Sequence, residues 1–221
     1  MGQSWERLAF LHWPVDAGTL AAVLPPGIEP DEFDGSAWVG VTPFEVHSFR
    51  LRFTLPLPWI STFPEINVRT YVTSEGKPGI WFMSLDTSNR LAVHAARKAY
   101  RLPYHHARQG TRRRGDWFEF TSKRDGDAAG FAGRYRPTGP VREARGGSFE
   151  YFMAERYCLY TINEREELLR GDIHHRPWPL QAADAEIAEN SMAHPYGVEL
   201  TGEPRAHYAD RLDVVFWSLT R

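Results

Sequence analysis

A chain of 221 residues with 42% hydrophobic, 14% aromatic and 24% charged residues can build a dry core, which excludes global disorder. The net charge of −2 conceals a basic middle, Arg97 to Arg145, with thirteen Lys/Arg against five Asp/Glu. That stretch reads as a solvated face balanced by acidic ends, with no nucleic acid and no membrane as partner. Nor does any apolar run reach the roughly 18–20 residues of a spanning helix. Met1 to Arg7 lacks a secretion signal, so the expectation is a cytoplasmic chain. Cys158 stands alone, so no internal disulfide forms.

In chain order, Thr19 to Leu24 before Pro25-Pro26 predicts a short helix. Ala37 to Thr42 is a strand apolar on both faces, ending at Pro43-Phe44. Ile66, Val68, Thr70 and Val72 alternate with polar residues, which predicts a half-buried strand. The turn Glu75 to Gly79 joins it to Ile80 to Leu85 as a hairpin. Asn89 to Tyr100 is the clearest helix, capped by Ser88 or Asn89, with Leu91, Ala92, Ala95, Ala96 and Ala99 as its apolar stripe. Strands follow at Trp117 to Thr121 and Phe131 to Tyr135, separated by the loop Asp125 to Gly130. A helix is predicted around Glu150 to Arg156, a strand at Tyr157 to Thr161, a helix at Asp184 to Met192 and a strand at Leu212 to Trp217. The sum is one mainly β (α+β) domain over residues 1–221, an antiparallel barrel or sandwich with a few helices outside.

Fingerprints for dinucleotides, nucleoside triphosphates, zincin metals and α/β-hydrolase chemistry are absent, so neither cofactor nor metal is expected. His105-His106 and His174-His175 are adjacent pairs, and on a strand each pair presents one ring inward. The strand Glu65, Asn67, Arg69, Tyr71 carries a carboxylate, an amide, a guanidinium and a phenol on one face. Those groups are inert if solvated and a site if they line a barrel. Glu65 with an Arg also reads as a buried ion pair between strands.

Several segments together resemble the YqjF-like family within the acetoacetate decarboxylase-like superfamily. They are Phe10 to Trp13, Leu24 to Gly27, Asp34 to Gly40, Glu65 to Val72, Trp81 to Asp86, Ala96-Arg97-Lys98 with Leu102-Pro103-Tyr104, Glu155 to Tyr157 and His174 to Leu180. The resemblance implies a large antiparallel β cone or barrel with a central cavity and peripheral helices, assembled as a homo-oligomer. In the decarboxylases two adjacent lysines follow the proline, and the first forms a Schiff base with the substrate. Here Tyr104 and His105 stand in their places, while Glu65 matches the active-site glutamate. Lys77, Lys98 and Lys123 are the only lysines, and none lies in a segment that reads as buried.

Two functions follow as expectations. The first is acid–base chemistry on a small carbonyl- or carboxylate-bearing metabolite without a Schiff base. Glu65 is then the acid/base, Arg69 or Arg97 the carboxylate clamp and Tyr104 the oxyanion donor. His12, His105, Glu155, His175 and Trp81 are further ligand contacts. The alternative is a binding or sensing protein that has kept the cavity and lost catalysis.

Overall fold

The computed structural model describes residues 2–50 and 62–221. In them twelve strands form one sheet: β1 (Gly2–Val15), β2 (Glu29–Pro30), β3 (Ala37–Arg50), β4 (Phe63–Ser74), β5 (Lys77–Thr87), β6 (Tyr104–Arg114), β7 (Trp117–Arg124), β8 (Gly130–Pro137), β9 (Cys158–Ile162), β10 (Leu168–His175), β11 (Gln181–Asn190) and β12 (Arg205–Thr220). The helices are α1 (Ala17–Ala21), α2 (Arg90–Tyr100) and α3 (Phe149–Ala154). None is long and apolar enough to cross a membrane.

The sheet runs β10-β9-β5-β6-β7-β8-β11-β12-β1-β3-β4-β2, with further pairings β10–β12 and β5–β4. These close it into two rings that share β12, β1, β3, β4 and β5. One ring is completed by β9 and β10, the other by β6, β7, β8 and β11. The shared strands are therefore covered on both faces, and their alternate residues feed two cores. Leu8, Phe10, Phe44, Tyr71 and Phe82 point into the first, with α3. Ala9, Leu11, Val41, Val68 and Met83 point into the second. This explains why residues 37–42 are apolar on both faces, and it corrects the half-buried reading of β4, whose residues 65–72 are all buried.

Most predicted strands are present but longer. β3 runs through Pro43 to Arg50, because Pro43 lies in the ladder opposite Ile66 and the strand continues beyond it. β5 lies parallel to both β6 and β9, so the barrel is not wholly antiparallel. The α2 crossover sets the first of these directions. Asn89 caps α2 by accepting from the Leu91 and Ala92 amides at 3.1 Å each. The inward side of α2 is not the predicted stripe: Val93 is its buried residue, and Leu91 is 64% exposed.

The predicted helix at Asp184 to Met192 is strand β11. Ala183, Ala185 and Ile187 pack on the second core, while Asp184 and Glu186 meet Arg136 and Arg134 of β8 across the ladder. Alanine and glutamate favour helix locally, but cross-strand pairs on a strand covered on one face prevail here.

Candidate functional site

β4 places Glu65, Asn67, Arg69 and Tyr71 on its first-core face, each 5% exposed or less. The register sets Glu65 between Phe44 and Thr87, and Asn67 between Thr42 and Leu85. Tyr104 opens β6 beside Leu85, and its hydroxyl donates to Glu65 Oε2 at 3.1 Å. Burial raises the Glu65 carboxyl to about 8, with the nearby Asp86 adding to the rise and the Tyr104 hydrogen bond opposing it. At neutral pH Glu65 is therefore mostly a protonated acid. Burial and the adjacent carboxyl also push the Tyr104 phenol well above its ordinary range.

Arg69 is 4% exposed and has no carboxylate partner among the described residues. Its Nη2 donates weakly to the Met153 carbonyl at 3.5 Å, its guanidinium lies 5.0 Å from the Phe10 ring centre, and its Nε is buried without an acceptor. The ion pair considered for Glu65 and an arginine does not form. Thr42 Oγ1 and Asn67 Oδ1 are also buried without partners. These three groups border an interior cavity of about 20 Å³, with Phe44, Arg156 and Trp178 also in its wall. That is room for about one water molecule. Glu65 and Tyr104 lie beside this wall, one step along β4.

His12 is fully buried, its Nε2 2.6 Å from the Tyr71 hydroxyl and its Nδ1 unpartnered. Burial, with Arg69 close by, holds its pKa well below the ordinary value. Gly40 makes this packing possible, since a Cβ there would stand 2.7 Å from His12 Nε2. Gly40→Ala is expected to cost about 1–3 kcal/mol by overpacking and to displace His12 from Tyr71. Urea unfolding measures the first effect and a shifted His12 imidazole NMR signal the second.

The other candidates are scattered. Arg97 is exposed, and its Nε donates to the Tyr104 backbone carbonyl at 2.6 Å, so it positions Tyr104 and does not face the cavity. His105 pairs with Asp86 on the opposite side of the sheet. Trp81 packs outside the first core, against the second core and a small cluster of Ile28, Val72, Cys158 and Tyr160. His175 is in the cavity wall, with ring nitrogens 2.8 Å from the Arg176 carbonyl and 3.3 Å from that of Arg156. Glu155 is tied to the Tyr157 hydroxyl and the Trp178 amide.

Sequence reading missed Thr42, and also the Asp86–Arg124 pair, which forms two hydrogen bonds of 2.7 and 2.8 Å in the interior. No spacing links residues 38 positions apart. Among the described residues no cluster of three or more His, Cys, Asp or Glu converges on a metal site.

A family model described as DUF2071, uncharacterized conserved protein, matches residues 2–213. The chain is 43% identical over 223 residues to the uncharacterized protein YqjF of Bacillus subtilis (strain 168), covering all of this chain and 92% of that one. Among solved structures, the enduracididine biosynthesis enzyme MppR complexed with pyruvate superposes with a TM-score of 0.71 at 11% identity, over 99% of this chain and 89% of that one. The acetoacetate decarboxylase of Legionella pneumophila subsp. pneumophila str. Philadelphia 1 gives 0.65 at 13% identity, over 100% and 87%. At these identities the likeness to the solved structures is one of fold.

Proposed function

The chain belongs to the DUF2071 family, whose fold here is that of the acetoacetate decarboxylase-like proteins, and from that premise we propose that its first core binds a small carbonyl-bearing carboxylate and works on it by proton transfer, without a Schiff base. The observation that carries this reading is Arg69: a buried cation with no acid opposite it among the described residues and one N–H unspent. Leaving such a charge uncompensated is costly, and a ligand carboxylate compensates it.

Glu65, held protonated, is suited to deliver its proton to a carbonyl oxygen, and the carboxylate so formed to take the proton from the α carbon as the enol forms, with the Tyr104 hydroxyl sharing the developing charge. This chemistry suits enolisation, dehydration or retro-aldol steps. An iminium needs a buried amine, whereas Lys77, Lys98 and Lys123 are exposed. The pyruvate held by MppR supports the ligand class. Since the cavity holds about one water molecule, the core must open around a ligand under either reading; the second reading is a binding or sensing protein that does so without turnover.

A thermal-shift series with pyruvate and related keto acids tests both. At about a hundredfold excess over Kd a ligand adds about 2.7 kcal/mol, a rise on the order of 5–10 °C for a chain of this size. Arg69→Gln is expected to abolish the shift. Mass analysis then separates the readings: an altered compound marks an enzyme, an unaltered one a binding protein. A shift that survives in Arg69→Gln would mean that the ligand does not bind at the interior site.

A further inference from the structure

A second concavity lies on the outer side of α3. It has a volume of about 770 Å³, within the range of small-molecule sites, and is walled by Arg142, Arg145, Glu150, Leu180, Gln181 and His207. Its frame is fixed by hydrogen bonds between the segment after β8 and the start of β11. Arg142 and Leu180 exchange backbone bonds of 2.7 and 3.0 Å, the Thr138 amide donates to the Ala182 carbonyl at 2.8 Å, and Gln181 Nε2 donates to the Gly139 carbonyl at 2.7 Å. The groove is therefore preformed.

Two of its exposed cations are unspent. The Arg142 and Arg145 side chains have no acidic partner among the described residues. Two carboxylates share the wall: Glu143, and Glu150, which accepts from His207 Nε2 at 3.1 Å and keeps its charge, because burial holds the His207 imidazole below its ordinary pKa. The other ring nitrogen of His207, Nδ1, is buried without a partner. The interior cavity is a separate place: α3 stands between them, with Ser148 and Glu150 on the groove and Ala154 on the interior side.

We propose that this groove is a second binding site, for a small molecule bearing an oxyanion, with Arg142 and Arg145 gripping the anion and the His207–Glu150 pair forming the polar wall. Two guanidinium groups on the wall of one formed concavity suit carboxylate and phosphate alike. The inference does not depend on the interior reading.

Titration of the full chain with inorganic phosphate and, separately, with succinate, followed by two-dimensional amide NMR at low ionic strength, tests it. Saturable shifts are expected at Ala144, Leu180 and His207 with at least one probe. Phosphate alone would assign a phosphoryl-bearing ligand, and succinate alone a carboxylate. Arg142→Gln/Arg145→Gln should weaken binding at least tenfold. A control of equal charge change on the exposed strand, Arg108→Gln/Arg112→Gln, and the interior variant Arg69→Gln should both leave it unchanged. The proposal is overturned if neither probe saturates, if the control weakens binding as much as the groove variant, or if the response is lost in Arg69→Gln.

Discussion

Glu65→Gln stabilises the protein by on the order of 4 kcal/mol at pH 8–9 and by less than about 1 kcal/mol below pH 4. The ordinary carboxyl value is 4.5, and burial lifts that of Glu65 to about 8. Between the two the unfolded chain has released its proton and the folded chain has not. The folded state then binds more protons, so stability falls as pH rises, by up to about 1.4 kcal/mol per pH unit. What Glu65 contributes is fully present below pH 4.5 and is lost by the time pH has passed 8. Glutamine keeps the shape and the acceptor for the Tyr104 hydroxyl but cannot ionise, so the variant loses this slope. Urea midpoints of both proteins across about pH 4–9 measure it. A difference independent of pH would mean that the carboxylate is already ionised in the fold, and the proton-donor role would fail with it. Under the enzyme reading the same variant loses turnover while remaining folded.

Arg124→Met is expected to cost about 3–5 kcal/mol, because it leaves the Asp86 carboxyl buried without its cation. The Asp86 side chain is wholly buried and that of Arg124 is 1% exposed, and the pair ties β5 to β7. Asp127 also reaches Arg124, at 3.1 Å, but is itself part-exposed. Removing both charges together, as Asp86→Leu/Arg124→Met, should recover most of the loss, since two apolar side chains do without the desolvation that the ions incur. A double-mutant cycle in urea measures the coupling. Single variants that each cost under about 1 kcal/mol would show the pair to be open to water.

Local pattern was enough for much of the fold. The alternation at residues 66–73, the apolar run at 80–85, the turn between them and the Asn89 cap all lie within a few residues of what they specify. So did the presence of a carboxylate, an amide, a guanidinium and a phenol on one face of one strand, because side-chain direction along a strand has a period of two. Tertiary structure decided whether that face was dry. Strand periodicity assigns residues to two sides but does not say what covers each, and here both sides of β4 are covered by strands distant in sequence. The same non-local pairing turned the alanine- and glutamate-rich run at 181–190 into a strand, and brought Asp86 to Arg124 and Tyr104 to Glu65. Arg69 shows the division most plainly. The sequence placed it on the face of Glu65, and only the closure of the ring left its charge buried with no acid to meet it among the described residues, because burial and partnership belong to the assembled sheet and not to the strand.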